Sequence, residues 1–152
     1  MTPIDKLYRD VGAALHTAQL AEYAVASTYL LLIRLTKPDK VKERLDSYWD
    51  KKSVGQLLEP AIRTGLLSPD AVRFLETFVG ARNHLAHSFF MVGSHAHTLD
   101  GIGRLSKEVS EMHHVLSQAL NFFDQLLSDL ANTAGVNVSD VKAVALKEVR
   151  AV

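Results

Sequence analysis

Between Thr2 and Leu35 the residues Leu7, Val11, Ala14, Leu15, Ala18, Ala21, Val25, Tyr29 and Leu32 recur three and four positions apart. That is the period of one helix face, sustained over about nine turns. Thr2 has the chemistry of an N-cap, Pro3 suits the first helical position, and "TKPD" closes the run. A helix of this length cannot bury its own stripe, so it demands other elements to cover it. The remainder of the chain offers only helices. A charged stretch from about Asp39 to Asp50 reads as a short helix. "KSVGQLLEPAIRTG" starts another, with Ser53 and Gln56 spaced as a capping box and Gly65 as a stop. Ser68 and Pro69 open a further helix that runs to near Gly93. "SHAHTLDGIG" is the most loop-like segment; a long helix follows from about Gly103 to Ala131, then a last one from about Ser139 to Arg150. No segment shows sustained β alternation. The expectation is an all-α, antiparallel up-and-down bundle of four main helices with short additional helices. It forms one domain over residues 1–152, with residues 132–152 as a peripheral C-terminal helix.

Composition narrows the chemistry. The 152 residues suit one domain with one core. The absence of cysteine removes disulfides, thiolate catalysis and cysteine zinc sites, and fits a cytoplasmic setting. "MTPIDKLYRD" has no apolar signal core, and the longest apolar stretch, "YLLLIRL", is too short for a membrane span and contains Arg34. Seventeen basic and seventeen acidic residues cancel, so no global basic field draws nucleic acid. Residues 34–63 nevertheless hold eight basic and five acidic side chains, a local excess of +3, readable as a basic surface or as a solvated helix face.

The stretch "ARNHLAHSFF", residues 81–90, breaks the apolar logic of its helix. On a wheel of about 100° per residue, Leu75, Phe78, Val79, Leu85, Ala86 and Phe89 all fall within about 60° of Arg82. Asn83 and His87 form an (i, i+4) pair on one flank, which Glu76 and Gly80 share; His84 points to the far side. A guanidinium on an apolar stripe must meet a carboxylate, carbonyls or a bound anion, or snorkel out at the helix edge. Arginine, a neighbouring amide and an imidazole one turn on supply an anion clamp, an orienting group and a proton-transfer group, parts that suit phosphodiester cleavage.

"RNHLAH", Arg82 to His87, resembles the R-N-x-x-x-H signature of HEPN domains (higher eukaryotes and prokaryotes nucleotide-binding). The helix order of roughly residues 4–131 is similar as well. Many HEPN proteins are metal-independent endoribonucleases: toxins of toxin–antitoxin pairs, abortive-infection factors or CRISPR-associated effectors. The resemblance implies an RNA substrate, no cofactor, a homodimer whose cleft joins two copies of the motif, and an antitoxin partner in the toxin setting. Carried over, Arg82 would bind the scissile phosphate and Asn83 would orient the motif or the RNA. His87 would act as general acid or base while the 2′-hydroxyl attacks. Phe89 departs from a subgroup whose tyrosine at that place is modified by the antitoxin. Some HEPN domains are non-catalytic bundles that bind a nucleotide, RNA or a protein partner, and that is the alternative function.

Other constellations are weaker. His95 and His97 form an H-x-H pair that could reach the cleft mouth, as could Glu76 from the Asn83 flank; the plainer reading is loop and surface polarity. His113 and His114 are adjacent, but a metal needs three or four convergent ligands. "EMHH" contains one Glu-x-x-His where a di-iron bundle needs two. Tyr48 and Trp49 could stack on a base or simply anchor the short charged helix.

Overall fold

A computed structural model of the chain describes residues 1–36, 63, 65, 68–89 and 98–150. The short helices expected within 39–62, Tyr48, Trp49, His95, His97 and the helix end near Gly93 lie outside these residues, while Gly65, the expected stop, is left-handed at φ 74°. Four α-helices make up the described structure: α1, Pro3–Thr36; α2, Pro69–Asn83; α3, Leu99–Ala134; and α4, Val138–Arg150. One π-helical turn, His84–Ser88, continues α2. No strand occurs among the described residues, and the fold is the expected all-α bundle.

Side-chain contacts set the directions. Thr17 meets His113, and further along the same two helices Leu31 shares a cluster with Leu127, so α1 and α3 run the same way. Phe78 meets Phe123 while His84 meets Glu108, so α2 runs against α3. Val141 joins Leu127 and Ala131, and Lys142 reaches back to Asp124, so α4 again runs against α3. Taken in chain order the four helices alternate up and down.

The core is the α1 stripe met by its two partners. Leu7, Val11, Ala14, Ala18, Ala21 and Val25 are buried against Leu75, Phe78, Leu85 and Phe89 of the second helical run and against Leu105, Val109, Leu116 and Phe123 of α3. The alanines let α3 approach α1 closely, and burying the larger side chains contributes about 1.5–3 kcal/mol each. The last helix packs on its own bundle: Val141 and Ala145 are buried on Leu31, Leu127 and Leu30.

Helix ends follow the caps. Thr2 Oγ1 accepts from the Asp5 N–H at 3.2 Å while Asp5 Oδ2 accepts from the Thr2 N–H at 3.1 Å, a reciprocal box. The Thr2 hydroxyl, donating to Asp5 Oδ2, and then the Thr2 N–H hold the Asp5 carboxyl below its ordinary value. Ser68 caps α2 through the Ala71 N–H, with Pro69 first in the helix, as the sequence indicates. The loop reading of residues 98–103 is corrected. Thr98 is extended and accepts the Gly101 N–H at 2.9 Å, so α3 starts at Leu99. The cap, Asp100 in the first turn and the burial of Leu105 outweigh the roughly 1 kcal/mol helix cost of each glycine. At the other end α3 reaches Ala134, where Gly135 at φ 68° closes it by donating to the Ala131 and Asn132 carbonyls.

Candidate functional site

The candidate residues occupy the last turn of α2 and the π-turn that follows. Two aromatic contacts fix the approach: Phe74 packs edge-on against Phe122 with ring centroids 5.7 Å apart, and Phe78 against Phe123 at 6.0 Å. They seat α2 in the groove between α1 and α3, so that its final turn presents one side to each neighbour.

Arg82 faces α1. Its Nε lies 2.5 Å from Glu22 Oε1, and Nη1 donates to Asn83 Oδ1 at 2.9 Å. The Arg82 side chain keeps 35% of its exposure and Glu22 29%. Arg82 therefore stands at the rim of the apolar face, not along its middle. Burial explains the shift: Leu85 is buried while Ala86, which the straight wheel puts on the apolar face, is exposed. Of the ways to satisfy this guanidinium, the chain uses a carboxylate on another helix combined with an edge position. Five N–H donors exceed what these two contacts consume, so the group retains capacity for an anion.

Asn83 and His87 are both exposed, as are Glu76 and Gly80 on the same flank. His87 makes no hydrogen bond or ion pair to any described residue. It lies in the π-turn, whose i→i+5 hydrogen bonding advances the chain less per residue than an α-turn. That smaller rotation gives His87 a different azimuth from the one a straight wheel assigns it. Glu76 makes no hydrogen bond or ion pair with these residues.

His84, the wheel's bystander, faces α3 and is held there. Its Nε2 lies 2.7 Å from Glu108 Oε1, and Phe89 meets the ring edge-on at 6.2 Å. Elsewhere, His113 Nε2 is 3.0 Å from Thr17 Oγ1, whose own proton goes to the Ala13 carbonyl at 3.1 Å. Among the described residues no three His, Asp or Glu side chains converge to hold a metal ion.

Sequence reasoning missed Glu22, Glu108 and the π-turn. The two glutamates had a signal. Glu22 stands four after Ala18 and three before Val25, and Glu108 three after Leu105, each an acid at the margin of an apolar stripe. The π-turn had none: Leu85 and Phe89, both in the core, keep the four-residue spacing of one α-helical face.

These features define a helical-bundle protein with a polar, half-exposed helix terminus. Comparison of the chain with known protein families, with curated proteins and with solved structures found no match in any of the three. No described helix is long and apolar enough to cross a membrane.

Proposed function

We propose that the chain is a metal-independent endoribonuclease of HEPN type, a toxin or phage-defence component acting on RNA as a cytoplasmic homodimer, with an antitoxin as its partner in the toxin setting. The observation that carries this reading is the coincidence of motif and geometry. Arg82 and Asn83 end a regular helix, and an exposed His87 with no partner among the described residues follows within a π-turn, a local structure concentrated at functional sites. The guanidinium donors not engaged by Glu22 and Asn83 bind the scissile phosphate. His87 of one copy takes the proton of the 2′-hydroxyl, whose oxygen attacks phosphorus. The 5′-oxygen leaves with a proton given by His87 of the other copy, yielding a cyclic phosphate and a free 5′-hydroxyl. No metal is needed, because the nucleophile is supplied by the RNA and the charge is met by arginine.

The test is cleavage of varied RNAs by the purified protein in chelator. Wild type should cut, and His87→Ala should lose about 10²–10⁴-fold in rate, the usual share of a general acid or base. Arg82→Ala should lose activity as well. Cleavage that survives in both variants would refute the assignment.

One observation favours a second reading. The Glu22 carboxylate already neutralises Arg82. A bundle that only binds a nucleotide, RNA or a protein partner needs no uncompensated arginine. Wild-type protein that binds RNA in a filter assay without cutting it would select this alternative.

A further inference from the structure

We infer that His84 and Glu108 form a clasp that positions the π-turn, and through it the imidazole of His87; this rests on the ribonuclease reading above. Three observations converge. His84 is the first residue of the π-turn and His87 the fourth, so the ring of one fixes the backbone that carries the other. The clasp crosses between elements: Glu108 sits on α3, the helix on which α2 is seated by Phe78 and Phe123. The π-turn is held at its far side too, because Phe89 is buried and packs against the His84 ring.

The nitrogen that is used separates positioning from catalysis. A catalytic histidine oriented by a carboxylate typically keeps its outer nitrogen, Nε2, for substrate. Here Nε2 is the atom spent on Glu108. His84 is therefore a positioning residue. An i→i+5 turn has poorer intrinsic support than an α-turn, so an external contact at its first residue decides whether the segment keeps this form. If it relaxed to α-geometry, the azimuth of His87 relative to Arg82 would change. A misplacement of about 1 Å in a reacting group can cost about 10²-fold in rate.

The experiment uses three variants of the full chain. Glu108→Ala removes the acceptor, Glu108→Gln keeps an amide oxygen at the same reach, and Glu111→Ala is a control on the exposed face of α3. Two readouts are taken: hydrogen exchange of the amides of residues 84–88, and the kcat and KM of RNA cleavage. Expected for Glu108→Ala is exchange at least about tenfold faster, confined to residues 84–88, with kcat down by about 10–100-fold and KM held within about twofold. Glu108→Gln should restore most of both, and Glu111→Ala should change neither. Unchanged exchange at residues 84–88 in Glu108→Ala overturns the clasp, whether or not the protein cuts RNA. If wild type cuts no RNA, the ribonuclease reading falls and the exchange readout still decides the clasp. A uniform loss of kcat and of protection throughout Glu108→Ala and Glu108→Gln alike would mark a general folding role and also overturn it.

Discussion

Pro69–Phe78 and Arg82–Ser88 belong to one helical run but are held in opposite ways. The first segment is fixed by what water cannot reach: Ala71, Leu75 and Phe78 are buried, and its start is sealed by Ser68. The second is anchored by one buried side chain, Leu85, and by polar contacts at its sides, Arg82 with Glu22 and His84 with Glu108, while Asn83 and His87 stay exposed. Apolar packing has no direction and tolerates no gap; polar clasps have direction and tolerate water. A bundle can thus keep a rigid seat and a chemically available terminus on the same helix, and each segment should respond to substitution in its own way.

The sharpest separation comes from Phe78→Ala. Phe78 is fully buried and edge-on to Phe123. Its loss should cost about 3–5 kcal/mol in chemical denaturation. Any activity should decline only as folded protein is lost. His87→Ala is the mirror image: a large loss of cleavage, with stability held within about 0.5 kcal/mol, as for an exposed side chain with no partner among the described residues. If His87→Ala proves as destabilising as Phe78→Ala, the two segments are not distinct and His87 is structural.

How far the sequence could be read follows the same division. The helices were legible because the 3.6-residue period in α1 and the Ser68–Pro69 start signal are local facts. The polar residues were legible as a set but not in their partners. Glu22 lies sixty positions before Arg82, and Glu108 twenty-four after His84, separations at which no periodicity carries information. Wheel geometry erred where it assumed a constant rotation through residues 84–88, and so placed Ala86 inward. The start of α3 was misread because two glycines outweighed one threonine in the sequence, whereas in the fold the Thr98 cap and the buried Leu105 prevail.

Ser68→Ala probes the buried segment at its entrance. It removes the acceptor of the Ala71 N–H and should cost about 1 kcal/mol, measured as a lowered denaturation midpoint with unchanged m-value. Cleavage per folded molecule should stay at the wild-type level, because the change is local to the first turn. A drop in kcat would mean that the start of α2 is coupled to its end.

A small expected effect on stability at the ion pair tests the polar segment most directly. Glu22 and Arg82 are each about one-third exposed, and ion pairs of that kind contribute about 0–1 kcal/mol. Glu22→Gln keeps the shape and an oxygen that can accept from the guanidinium. It should therefore shift stability by less than about 1 kcal/mol, and that shift should shrink in high salt. Its effect on anion binding has the opposite sign. The carboxylate competes with a phosphate for the same cation, so removing its charge should tighten binding of RNA, read as a lower Kd at low ionic strength. If Glu22→Gln instead costs several kcal/mol and leaves RNA affinity unchanged, Arg82 is a strut of the bundle. The phosphate would then have to be held elsewhere.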